Sequence, residues 1–130
     1  MNKPSVTMTV IKEISGYSAF AQIGDDFVGT QGETFEDLKK MIIEAVNLNF
    51  EDQGFIYSID EIKFEYDLKS FFSFYKVINV KALSERVGMN QSLLSQYING
   101  LKKPSVNQTK RILKGVQQIG RELSEVSFLL

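Results

Sequence analysis

The stretch Asn90-Gln91-Ser92-Leu93-Leu94-Ser95-Gln96 interleaves amide and hydroxyl side chains with apolar ones at helical spacing. Amides and hydroxyls donate and accept hydrogen bonds at once. Asn and Gln pair bidentately with the edge of adenine, and Ser bonds at several base edges. Bond-breaking chemistry has less to draw on. The chain has no histidine and no cysteine. That excludes the commonest general base and zinc ligand, thiolate metal sites, cysteine nucleophiles and disulfides. An enzyme would have to run on carboxylates, lysines or hydroxyls. The acids that cluster are Asp25-Asp26, in a turn signal, and Glu33, Glu36 and Asp37, at a helix start. None falls mid-strand, where a two-metal nuclease would hold converging carboxylates. A metal-dependent nuclease is the least supported alternative. The expectation is a binding protein with no catalytic residue, no metal and no cofactor.

Amides on a helix can read bases only if the rest of the fold holds that helix in place. Residues 80–99 carry the pattern for that. Two short helices meeting at ~90–120° need a tight turn, usually with glycine. Gly88 fits the turn, and Ser84, four positions earlier, is small enough to let the second helix pass close. Leu83 and Val87 before the turn, with Met89, Leu94 and Ile98 after it, hold the pair together. Asn90, Gln91, Ser92, Ser95 and Gln96 remain exposed on the second helix, with Asn99 at its end. Lys81 before this face and Lys102 and Lys103 after it are placed for backbone phosphates. The plainer alternative makes Asn90 a helix cap and the rest solvated surface. Turn glycine, small residue and apolar positions all falling in register argue against it.

Charge divides the chain. Residues 1–60 carry four basic side chains against ten acidic ones, a balance of −6, whereas residues 61–130 carry eleven against six, a balance of +5. Such asymmetry points to two domains with different partners, the basic one facing a polyanion. Chance segregation of surface charge is the alternative.

Residues 5–14 and 17–23 read as strands, Gly24-Asp25-Asp26 as a turn, and residues 27–31 as the third strand of an antiparallel meander. Thr34 caps a helix running to about Glu51, with Asp37 completing a weak capping box. Leu38, Met41, Ile42, Ala45 and Val46 form its apolar face. Residues 61–66 alternate polar and apolar and read as a fourth strand. The predicted class is α+β, with a β-β-β-α-β domain over residues 1–66 and an all-α domain over residues 67–130. Leu68, Phe71, Phe72, Tyr75 and Ile78 mark one further helical stripe. Ile112, Leu113, Val116 and Ile119 mark another, begun by Ser105 or Asn107 beyond Pro104 and ending near Gly120. Residues 125–130 read as a short strand or a frayed tail. The start lacks the apolar run of a secretory signal, and no segment approaches the ~20 apolar residues that span a bilayer. A soluble, cytoplasmic protein is expected.

Residues 68–123 resemble the Cro/XRE class of helix-turn-helix domains. The register described above carries the resemblance, together with Asn99-Gly100-Leu101-Lys102-Lys103-Pro104-Ser105 after the second helix. It implies a five-helix domain whose third helix, residues 90–98, lies in the major groove of duplex DNA. It also implies a dimer or higher homo-oligomer on a palindromic operator with half-sites about one turn apart. The class often has glutamine at the motif's first position, contacting phosphate; here stand Val80 and then Lys81.

Residues 10–52 resemble the HicB antitoxin domain. The features are Gly16-Tyr17-Ser18 entering a strand and Gly29-Thr30-Gln31-Gly32-Glu33-Thr34 leading into an amphipathic helix. Gly24-Asp25-Asp26-Phe27 stands where that domain usually has Pro and Gly-Cys. The resemblance implies a partial ribonuclease-H-like fold without catalysis that binds a small basic HicA-like toxin, an mRNA-cleaving protein. Together the two halves describe a DNA-binding antitoxin of a type II toxin-antitoxin pair that represses its own operon. The alternative is a stand-alone XRE-like regulator whose first domain dimerises or binds a ligand.

Overall fold

A computed structural model describes residues 2–130. Its elements are β1 (Val6–Lys12), β2 (Tyr17–Ile23), β3 (Asp26–Gly32), α1 (Phe35–Asn49), β4 (Ile62–Tyr66), α2 (Leu68–Phe74), α3 (Val80–Val87), α4 (Gln91–Ile98) and α5 (Val106–Ser124). The class is α+β, in the order β-β-β-α-β followed by helices. The chain forms two compact units, one ending at Ser73 and the other running from Phe74 to Leu130.

The sheet of the first unit has the order β3-β2-β1-β4, with β1, β2 and β3 antiparallel and β4 parallel to β1. Alternation sets which face is covered. Val6, Met8 and Val10 of β1 are buried, and the register places Ile62 beside Val6, Ala19 beside Val10, and Val28 beside Ala21. All six partners thus share one face. α1 supplies Leu38, Ile42 and Val46, spaced four apart and fully buried. Thr34 caps α1 by accepting from the Asp37 N–H at 3.0 Å; Asp37 itself contributes only that backbone group. Met41, expected on the apolar face, is 41% exposed. It sits about a quarter-turn off the 38/42/46 stripe, while Phe35 at the helix start adds ring contacts to Tyr17 and Phe64.

α2 belongs with this unit, and the boundary therefore falls later than the expected 66/67. Asp67 accepts from the Ser70 N–H (2.9 Å), and the buried Ser70 hydroxyl accepts from the Lys12 N–H of β1 (2.8 Å). Tyr66 and Phe71 add an edge-to-face ring contact at 5.9 Å. Four helices follow β4, so the five-helix domain implied for residues 68–123 does not form. One of the four is bound to the sheet unit and the last is a single long helix.

In the second unit Leu83, Met89, Leu94, Tyr97 and Ile112 form the buried core. Ser105 caps α5 by accepting from the Gln108 N–H at 3.1 Å. α5 does not stop near Gly120 but runs to Ser124. A glycine costs a helix about 1 kcal/mol relative to alanine without ending it. Beyond it, Arg86 of α3 holds Glu122 at 2.6 Å, and the Ser124 hydroxyl donates to the Arg121 carbonyl at 2.7 Å. Residues 125–130 form no strand and are exposed.

Two glycines of α5 should respond oppositely to alanine. A Cβ at Gly120 would meet nothing within 4 Å, so Gly120→Ala should stabilise by about 0.5–1 kcal/mol. At Gly115 it would lie 2.3 Å from Cγ1 of Val87, a β-branched side chain with little rotamer freedom. Overpacking of about 1–3 kcal/mol should there outweigh the gain in helix propensity. Thermal unfolding of the two variants checks the signs.

Candidate nucleic-acid interface

A chain reversal between two short helices fixes where α4 points. α3 ends at Gly88, whose φ of 67° is in the left-handed region. The Gly88 N–H donates to Glu85 O (3.2 Å) and the Met89 N–H to Ser84 O (2.9 Å), a paired closure that needs glycine at the bend. Ser84 is 2% exposed, as its proposed role at a close approach requires, and its hydroxyl donates to Lys81 O at 2.6 Å. Asn90 then opens α4. Its Oδ1 accepts from the Ser92 N–H (2.8 Å) and the Leu93 N–H (3.2 Å).

Sequence reasoning missed the residue that locks this bend. Arg111 of α5 donates from Nε to Val87 O at 2.8 Å and from Nη2 to Gly88 O at 2.6 Å. It thereby satisfies the carbonyls that a helix end leaves open. No local pattern signals a clamp from so far along the chain.

α4 has one sealed side and one wet side. Leu94 and Tyr97 are buried, while Asn90, Gln91, Ser92, Gln96 and Asn99 are exposed and Ser95 is half-buried. Gln91, Ser92, Ser95 and Gln96 stand at i, i+1, i+4 and i+5, which places them on one face of the helix. Gly100, at φ 75°, ends the helix; the Leu101 N–H donates to Gln96 O at 2.9 Å and the Lys102 N–H to the same oxygen at 3.3 Å. Lys102 and Lys103 follow directly, both exposed, and Lys81 is exposed in the first turn of α3. None of these three lysines forms an ion pair among the described residues. The unit from Phe74 onward carries nine basic side chains against three acidic ones, a balance of +6, and the preceding one carries six against thirteen, −7.

The acids weighed for metal chemistry stay apart. Asp25 and Asp26 lie at the exposed β2–β3 turn, and Glu33, Glu36 and Asp37 at the start of α1. Among the described residues no three acids gather as a metal site. No helix among them is long and apolar enough to cross a membrane. Comparisons with protein-family models, with curated proteins and with solved structures find no match to this chain.

Proposed function

We propose that the second unit reads duplex DNA through α4 as a Cro/XRE-like helix-turn-helix. In this reading the chain is a cytoplasmic antitoxin-repressor of the HicB type, whose acidic first unit neutralises a small basic HicA-like toxin. One observation carries the DNA half. α4 has no charged residue, and its wet face is built of amides and hydroxyls beginning at a capped helix N-terminus. Amides and hydroxyls both donate and accept, so such a face matches the donor and acceptor pattern of base edges. Gln91 and Gln96 offer bidentate pairing to adenine, while Asn90, whose Oδ1 is held by the cap, has its Nδ2 to donate, and Ser92, Ser95 and Asn99 add single bonds. Lys81, Lys102 and Lys103 hold phosphates and set the register without reading sequence. Two copies on a palindromic operator complete the site. The sheet, with three antiparallel strands and a parallel fourth under one helix, supports a partial ribonuclease-H-like reading of the first unit. Its balance of −7 suits a partner that itself binds RNA.

The test measures binding to the DNA upstream of the gene across a set of single-base variants. Gln91→Ala should alter preference at one base position by about 1–3 kcal/mol. Lys102→Ala and Lys103→Ala should weaken all sequences alike and each lower the salt slope by about one. An unchanged preferred sequence in Gln91→Ala would overturn the placement of α4. Co-expression with the small Lys/Arg-rich product of a neighbouring reading frame tests the antitoxin half. Failure to form a complex leaves a stand-alone regulator.

A further inference from the structure

Beside the C-terminal end of α1 opens a hollow of about 550 Å³, lined by Glu44, Asn47, Leu48, Glu51, Phe55 and Ile56. Leu48 is 70% exposed and Ile56 77%. Both line the same hollow, so they form one exposed apolar patch rather than scattered single residues, and such patches mark contact surfaces.

Looseness does not account for their exposure, because the backbone around Ile56 is fixed on both sides. Asn47 accepts from the Tyr57 N–H at 2.6 Å and donates to the Tyr57 carbonyl at 3.2 Å. Lys3 Nζ donates to Ile56 O at 2.5 Å and pairs with Glu61 at 2.6 Å, a bond that holds the Glu61 carboxyl below its ordinary range. Glu61 in turn accepts from the Ser58 N–H and hydroxyl. Phe50 packs on Phe55 and on Tyr57, with ring centroids 6.2 and 5.0 Å apart. Ile56 is thus presented on pre-ordered backbone, the condition under which an anchor binds with little ordering cost.

The rim is acidic. Glu44 and Glu51 line the hollow and Asp52 follows, and none of the three has an ion pair among the described residues. No basic residue occupies the last turn of α1, so the negative end of that helix adds to them.

We propose that this hollow docks a segment of a basic partner protein. The segment sets an aliphatic or aromatic side chain between Leu48 and Ile56 and Lys or Arg against Glu44, Glu51 and Asp52. This assigns a contact face to the toxin-binding reading and rests on it. Charge selects the occupant: a second copy docked face to face would oppose like charges.

The experiment titrates the full chain calorimetrically with the Lys/Arg-rich neighbour-encoded protein. Ile56→Asp and Leu48→Asp should each weaken binding by on the order of tenfold or more. Glu44→Lys with Glu51→Lys should do the same and flatten the salt dependence. DNA binding and melting temperature should hold, with Ile56→Ala as the milder control. Undiminished binding in all these variants overturns the docking face while the antitoxin reading stands. No binding by the wild-type chain removes both. Loss of self-association by sedimentation, with partner binding intact, gives the face to a second copy and also overturns the proposal.

Discussion

Leu94→Ala should cost the helical unit about 2–5 kcal/mol, the range for emptying a fully buried leucine site. The side chain is 0% exposed on the inner face of α4, in the core that also buries Leu83, Met89 and Ile112. A unit this small holds only about 3–5 kcal/mol in its core. The loss is comparable with the unit's whole stability, so the variant should unfold at much lower urea than the wild type. Gln91→Ala, on the same helix but exposed, should change stability by about 0.5 kcal/mol or less. The two substitutions separate seating from reading. In Leu94→Ala, operator affinity should fall for every sequence in proportion to the folded fraction. In Gln91→Ala, the preferred sequence should shift while the unfolding midpoint stays. Urea unfolding by circular dichroism, paired with DNA titration, measures both. A cost below about 1 kcal/mol for Leu94→Ala would show that α4 is not seated on this core.

Where local signals were strong, the sequence was enough. β2 begins and ends where alternation and flanking glycines place it, Thr34 caps α1, and Gly88 makes the bend before Asn90. Each of these depends on residues within one turn or one strand. The parts that were illegible depend on partners far along the chain. Ser70 ties α2 to β1 through Lys12, a link of 58 residues, and nothing near Ser70 announces it. Arg111 reads as one more surface cation until its guanidinium is seen on Val87 and Gly88, 24 and 23 positions away. α5 passes through Gly120 because one glycine costs a helix only about 1 kcal/mol, and the Arg86–Glu122 pair beyond it joins residues 36 positions apart. Leu48 and Ile56 carried no local signal at all. Both are apolar types that lie outside the stripes read from the sequence, and only the fold reveals that they face water together. The face of α4 was legible because its apolar and polar positions separate cleanly. The acidic hollow was not, since its rim and floor come from a helix and a later loop.

Gly16 and Gly32 carry the other large effect, and for a reason hidden from local pattern. Both border the corner where β1 turns into β2 and β3 hands over to α1, and the register pairs Gly32 with Tyr17. A Cβ on Gly32 would lie 2.6 Å from the Leu38 nitrogen and 2.9 Å from its Cα. Those are backbone atoms of the first turns of α1, so relief means moving the helix off the sheet. A Cβ on Gly16 would lie 2.5 Å from the Gly32 oxygen, and the residue sits at φ +74°. Clash adds there to a left-handed backbone cost of about 1–2 kcal/mol. Each alanine substitution should destabilise the first unit by about 3 kcal/mol or more. Because they crowd one corner, the double variant should cost less than the sum. Gly24→Ala isolates the backbone share. Its φ is +59° with nothing within 4 Å, so about 1–2 kcal/mol is expected. Urea unfolding of the three single variants should rank Gly16 and Gly32 well above Gly24. Equal costs at all three would mean that α1 does not approach β3 this closely, and the helix that carries Leu48 would be misplaced with it.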